Sequence, residues 1–173
     1  MKLKIKVKVL TEGCMPRIIE KGDLIDLRAA ENHIFKAPQA GVQYTKDNEK
    51  YRDVSFDEQV INLGVAMQLP KGMMAKLKGR SSLTKNHGVV MSCSGEIDNS
   101  YCGNTDEWKF RVFAIRAGKI EALDRICQFE VVPSQKATIW QKLKWLLSSG
   151  IELIEVDNLS NEDRGGFGSS GVR

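Results

Sequence analysis

The chain has little of what builds disulfide or metal frameworks. Its four cysteines, Cys14, Cys93, Cys102 and Cys127, form no C-x-x-C pair, and neither of the two histidines stands at metal-ligand spacing from them. That excludes a structural zinc site of the usual pattern and reads as reduced, mostly buried thiols in a cytosolic protein. No apolar run approaches the roughly 20 residues needed to span a bilayer. The start, MKLKIKVKVL, alternates lysine with apolar residues where a secretory leader carries an unbroken apolar run. A soluble, intracellular (cytoplasmic) protein with no membrane partner is expected. Charge of one sign is also scarce: a formal net charge of +4 suits an anionic small ligand and is too small to indicate nucleic acid. Finally, the glycine-rich stretch EDRGGFGSSGVR, residues 162–173, is followed by no helix whose N-terminus could complete a phosphate loop.

What remains is ordinary globular composition, 42% hydrophobic and 28% charged over 173 residues, most simply one domain with a sizeable core. The clearest strand is the first. Leu3, Ile5, Val7 and Val9 point one way and Lys2, Lys4, Lys6 and Lys8 the other. The lysine row reads as an exposed, solvated strand face whose charge discourages edge-to-edge aggregation, in preference to a basic patch for nucleic acid. Further strand-like runs are LIDLRA at 24–29, VINLGVAMQL at 60–69, AKLKG at 75–79, GVVMSC at 88–93, WKFRVFAI at 108–115, RICQFEVV at 125–132 and IELIEV at 151–156. Turn residues separate them at short intervals, the pattern of an all-β sandwich, jelly roll or barrel.

Two segments stand apart. Residues 39–58 are polar and charged and read as a long loop or a protruding hairpin inserted between core strands. Residues 138–148, TIWQKLKWLLS, place Ile139, Trp140, Leu143, Leu146 and Leu147 along one helical face. Thr138 and Gln141 have the form of a capping box, and Gly150 is placed to end the helix. Packing of that stripe on the protein's own body is expected; the insert and the helix are also where an extra protein partner would bind.

Two polar stretches are not explained by structure alone. Gly79-Arg80-Ser81-Ser82 follows a strand with a guanidinium and two hydroxyls, suited to oxyanions and equally to a helix N-cap. In SGEIDNSYCGN, 94–104, a tight hairpin accounts for Gly95, Gly103 and Asn99 but not for Asp98 and Tyr101.

Five stretches taken in order, DLIDLRAAE (23–31), GRSSL (79–83), GEIDNSYCGN (95–104), DRICQ (124–128) and DRGGFGSSG (163–171), resemble the five motifs of the trimeric dUTPases. The resemblance implies a dUTPase-like jelly-roll or distorted barrel, residues 1–160, and a flexible C-terminal arm, 161–173. It implies hydrolysis of dUTP to dUMP and pyrophosphate with Mg²⁺, in a homotrimer whose sites draw motifs from all three chains. Asp98 would activate the water that attacks the α-phosphorus. Tyr101 would lie beneath the deoxyribose, and backbone from Gly95 through Ile97 to Asp98 would read the uracil edge. Arg80, Ser81 and Ser82 would hold phosphate oxygens, and Gln128 the phosphates or the water shell of the metal. Asp26 would support the site. From the arm, Phe167 would cover the uracil, Gly168 and its neighbours would allow close backbone approach, and Arg164, Ser169 and Ser170 would reach the phosphates. The metal would come on the triphosphate and its waters, with no protein ligands of its own.

Departures from the motif pattern are visible: Leu24 and Ile25 precede Asp26 where the family has Ala-Gly, and Arg164 stands two residues closer to Phe167 than usual. A dCTP deaminase shares the fold, yet it needs an acid inside WKFRVFAI and an arginine near Lys85; Glu107 lies ahead of that strand. A nucleotide-binding regulator without catalysis is the reading from another class.

Overall fold

The structure, a computed structural model, describes residues 1–165. The chain opens with β1 (Leu3–Val9), β2 (Arg17–Ile18), β3 (Ile25–Arg28), β4 (His33–Phe35), β5 (Gln39–Tyr44), β6 (Lys50–Ser55), β7 (Glu58–Asn62), β8 (Val65–Gln68) and β9 (Met73–Gly79). A short helix α1 (Leu83–His87) leads to β10 (Val89–Met91), β11 (Gly95–Ile97), β12 (Lys109–Ala114), β13 (Gly118–Ile120) and β14 (Arg125–Pro133). Helix α2 (Ile139–Leu146) and β15 (Ile151–Glu155) follow. Among the described residues the sheets run β15-β1-β8, β10-β12-β7 and β11-β9-β14-β3-β2, with two-stranded ribbons β13-β4 and β5-β6. This is the all-β class expected from the spacing of short strands, in the jelly-roll-like form that the resemblance implies.

The core lies where the inward faces of these sheets meet. Trp108, Phe110, Phe129 and Phe35 are among its largest fully buried side chains. The rings of Trp108 and Phe129 meet edge to face at 5.1 Å. Full burial of such side chains is worth about 1.5–3 kcal/mol each, so these aromatics fix how β12 packs on β14.

Several expectations change on contact with the fold. The lysine-faced β1 lies inside its sheet, pairing in parallel with β15 and antiparallel with β8. Its lysines simply cover the solvated side of a three-stranded sheet. The run 60–69 is two strands, because Gly64 turns the chain at φ +65° and a Cβ there would stand 2.7 Å from Cys14 Sγ. The 39–58 insert is mainly the hairpin alternative, with β5 and β6 paired from Gln39–Ser55 to Tyr44–Lys50 and exposed throughout. Only Cys14 and Cys127 are buried; Cys102 is half-buried and Cys93 exposed, all four free.

The largest correction concerns α2. Its capping box forms, with Thr138 Oγ1 accepting from Gln141 N–H at 3.3 Å and Gln141 Oε1 accepting from Thr138 N–H at 2.8 Å. Yet it ends at a Leu147 C-cap rather than at Gly150, and it docks through the side opposite the apolar stripe. Trp145 is half-buried and donates from Nε1 to Val131 O at 2.9 Å, while Gln141 lies against Gly72. Ile139, Trp140, Leu143, Leu146 and Leu147 therefore face outward, Trp140 at 77% and Leu147 at 74% exposure. Periodicity located the stripe; one indole hydrogen bond on the other face decided the rotation. No helix among the described residues is long and apolar enough to cross a membrane.

Candidate active site

Two groups of the sequence-marked residues form at opposite ends of strand β9. The first gathers around Asp26, which projects from β3 and is only 2% exposed. Burying a carboxylate requires partners. It has two: Arg125 Nη1 at 3.1 Å and Arg80 Nε at 3.5 Å. Arg80 also donates through Nη1 to Arg125 O at 3.4 Å, and its N–H to Ile126 O at 3.1 Å. Antiparallel register brings Gln128 of β14 opposite both Asp26 and Lys78. Two guanidiniums against one carboxylate leave this end cationic, with half-buried Gln128 beside it. Arg125 was not singled out from sequence, although it stands inside DRICQ; its value lies in the partner it shares with Arg80.

Ser81 and Ser82 extend from this cluster into α1. Ser82 occupies the N-cap position, but in helical geometry and with no side-chain cap bond, so its hydroxyl is not consumed by the helix. The N-cap alternative thereby loses its physical basis. Replacing Asp26 by Asn should lower stability by about 1–3 kcal/mol, since a charged acceptor of two arginines becomes neutral. It should also raise KM for the ligand, because Arg80 loses its tether; thermal melting and steady-state kinetics read the two effects.

The second group is built on β11. This strand pairs with β9 through Gly95↔Leu77 and Ile97↔Ala75 and, among the described residues, has no further partner in its sheet. The 94–104 segment is therefore not a two-stranded hairpin. Gly95 serves close packing, since a Cβ would lie 2.6 Å from Leu77 Cβ. Asn99, read as a turn former, reaches instead to the preceding 69–73 loop, its Nδ2 near Pro70 O at 2.8 Å, Met73 O at 3.1 Å and Leu69 O at 3.3 Å. This suture fixes Asp98, which is exposed and paired with Arg164 Nη1 at 2.7 Å. An exposed pair of this kind is worth about 0–1 kcal/mol and opens readily.

Tyr101 packs against the core and donates its hydroxyl to Glu107 O at 2.8 Å. Burial, then the nearby Asp106, Glu107 and Asp163 carboxylates, push its phenol above the ordinary range, so it stays a donor. Tyr101→Phe should keep the ring and most activity while costing about 1 kcal/mol for the lost hydrogen bond, a drop of roughly 2–4 °C in Tm by melting. Glu107 is structural: its carboxylate accepts from Gly64 N–H at 2.9 Å. No acid lies in β12, so the acid that a deaminase needs on that strand is missing.

Sequence reasoning missed Asp106 altogether. It is 1% exposed and accepts from Gly103 N–H at 2.9 Å, Arg164 N–H at 2.9 and 3.1 Å and Gly165 N–H at 3.0 Å. Charge-assisted bonds of this type contribute about 1.5–3 kcal/mol each before burial is charged against them. Asp163 adds a bond from Thr105 N–H at 2.7 Å, which with the Thr105 side chain holds its carboxyl below the ordinary range. No local pattern marks Asp106, because apart from Gly103 its partners, Arg164 and Gly165, lie 58 and 59 residues away. Phe167, Gly168, Ser169 and Ser170 lie outside the described residues.

Register sets the distance between the groups. Asp98 follows Ile97 at the N-terminal end of β9, and Arg80 follows Gly79 at the other. Six strand positions at about 3.3 Å each separate Asp98 from the serine-arginine cluster of its own chain by roughly 20 Å.

Residues 48–171 match the family model described as dUTPase. The chain is 41% identical over 174 residues to a prophage-derived deoxyuridine 5′-triphosphate nucleotidohydrolase of Bacillus subtilis, covering 99% of this chain and 100% of that protein. Its fold is similar to that of the Streptococcus mutans dUTPase, with a TM-score of 0.60 at 19% identity, over 77% of this chain and 98% of that one. It is similar in the same way to a point mutant of the dUTPase from phage phi11 of Staphylococcus aureus, whose structure shows the coordination of a structural Mg(II) ion, with a TM-score of 0.58 at 18% identity, over 78% and 94%.

Proposed function

The chain belongs to the dUTPase family, and from that premise we propose how its residues hydrolyse dUTP to dUMP and pyrophosphate. One observation carries the reading: Asp98 stands at the surface next to the Asn99 suture, while the groups that suit phosphate lie about 20 Å away in the same chain. An attacking water and the leaving phosphate oxygen must flank a single phosphorus atom. Asp98 of one subunit therefore works with Arg80, Ser81 and Ser82 of another, in a homotrimer.

In that shared site, Asp98 accepts a proton as the water oxygen forms its bond to the α-phosphorus. The bond from that phosphorus to the bridging oxygen breaks, and pyrophosphate departs with Ser81 donating to the oxygen that gains charge. Arg80, Ser82 and Gln128 hold the remaining phosphate oxygens. Arg164 moves from Asp98 to the triphosphate, a transfer made easy by the weakness of an exposed pair. The outer edge of β11, from Gly95 to Ile97, which has no sheet partner among the described residues, offers backbone donors and acceptors to the uracil edge. Tyr101, fixed at its hydroxyl, supports the deoxyribose and leaves no room for a 2′-hydroxyl. From the arm, Phe167 covers the base, Gly168 admits the backbone, and Ser169 and Ser170 reach phosphate.

Among the described residues no three His, Cys, Asp or Glu side chains converge on a metal position. This donor set fits Mg²⁺ carried by phosphate oxygens and water rather than by a protein cage, with Gln128 beside its water shell. When bound, the ion offsets triphosphate charge and orients the chain of phosphates.

Incubation with dUTP, dCTP and UTP in Mg²⁺ tests the assignment. Pyrophosphate from dUTP alone is expected; ammonia from dCTP, or neither product, contradicts it.

A further inference from the structure

Asp98 stands between two attachments of its own chain. On one side Ile97 lies in the ladder with Ala75 of β9. On the other, half-buried Asn99 reaches the reverse turn 70–73 and the residue before it, its Nδ2 at 2.8 Å from Pro70 O, 3.1 Å from Met73 O and 3.3 Å from Leu69 O. That turn is closed by Met73 N–H donating to Pro70 O at 3.0 Å, with Gly72 in the left-handed region at φ +80°. It is also backed from behind. Ser134 N–H donates to Gly72 O at 2.9 Å, and a Cβ at Gly72 would collide with the Gln141 side chain of α2. Beyond Asn99, Tyr101 N–H donates to Asp98 O at 3.1 Å, so residues 98–101 form a second turn that rests on the first.

We propose that Asn99 is a positioning residue for the reaction: its side-chain amide, seated on the 70–73 turn, places the Asp98 carboxylate against the α-phosphorus. The chemistry of the seat is specific. Three carbonyl oxygens converge on one nitrogen, and an amide NH2 answers them with two hydrogens and no lone pair of its own. The strand ladder ends at Ile97, one residue short of Asp98, so without the amide the 98–101 turn pivots about that point. The pairing of Gly95 with Leu77 and of Ile97 with Ala75 is independent of Asn99, so the edge of β11 keeps its place. Loss of the amide therefore displaces the carboxylate and spares the groups assigned to the base. The inference rests on the reading of Asp98 as the general base.

Steady-state kinetics on four full-length proteins test it: the wild type, Asp98→Asn, Asn99→Ala and the double variant. Asn99→Ala should lower kcat for dUTP by about 10–10²-fold, the scale of a reacting group misplaced by about 1 Å, with KM within about threefold of the wild type. Added to Asp98→Asn it should cost nothing further, because a group that acts by placing a carboxylate has then nothing left to place. Three results overturn the proposal: a wild-type kcat in Asn99→Ala, a fall in kcat/KM carried wholly by KM, or a loss that multiplies in full onto Asp98→Asn. Near wild-type turnover in Asp98→Asn alone contradicts the general-base reading and the proposal with it, and that single variant tells the two failures apart.

Asn99→Ser carries the same comparison should the alanine variant fail to fold. Its hydroxyl brings one donor in place of two, so a smaller fall in kcat is expected, again absent in the Asp98→Asn background. An unchanged kcat in Asn99→Ser, or an equal loss in both backgrounds, overturns the proposal. Melting curves of every variant keep the assays well below Tm, so that a fall in kcat reports the folded protein.

Discussion

Asp98→Asn is expected to reduce kcat for dUTP by about 10²–10⁴-fold, the range a positioned general base contributes, while dUTP affinity changes little. The asparagine keeps the size and the turn geometry, since Asn99 and not Asp98 holds the loop to Leu69, Pro70 and Met73. On the proposed mechanism it loses only the capacity to accept the proton of the attacking water. The pair with Arg164 is exposed, so its loss shifts folding stability by at most about 1 kcal/mol. Pyrophosphate release measured beside calorimetric binding separates the two quantities. Turnover near that of the wild type would remove Asp98 from its role.

Ending the chain after Asp163 should be nearly as damaging to catalysis and nearly silent in stability. The cut removes Arg164 and everything beyond, which on the proposed reading contact phosphate and cover the site; a fall of about 10²-fold or more in kcat/KM is expected. The root of the arm survives, because Leu159 stays buried and Asn104 still bonds Asn158 and the Leu159 N–H. Asp106 loses its bonds from Arg164 and Gly165, but the same cut admits water to replace them. Thermal melting should therefore move by only a few degrees. A truncated protein that retains full turnover would show that the arm takes no part.

Much of this architecture was legible in the residues. Alternation gave β1, β9, β12 and β14 because each carries one face into the core, and the turn residues between runs gave the all-β class. Spacing also gave the capping box of α2, a contact only three residues long. What it did not give were features set at long range. The rotation of α2 follows from Trp145 reaching Val131, and the central place of β1 from β15, which returns almost 150 residues later. The site divides along the same line. Asp26, Arg80 and Asp98 stand in short motifs whose chemistry is readable from neighbours. The union of Arg80 with Arg125 on Asp26, and of Arg164 with Asp106, exists only once distant strands are in register. Ser82 shows the reverse: a residue that local rules gave equally to a cap was freed by its unmade bond.

The central claim is that a carboxylate from one chain and a serine-arginine cluster from another converge on one phosphorus atom. The most direct measurement is a crystal structure of the protein with a dUTP analogue whose α,β-bridge is an imido group. The account predicts Asp98 hydrogen-bonded, at about 3 Å, to a water in line with the α-phosphorus, with Ser81 of a neighbouring subunit at the bridging position. An analogue bound with Asp98 remote from that phosphorus, or with Asp98 and Ser81 of a single chain on the same phosphate, would contradict it.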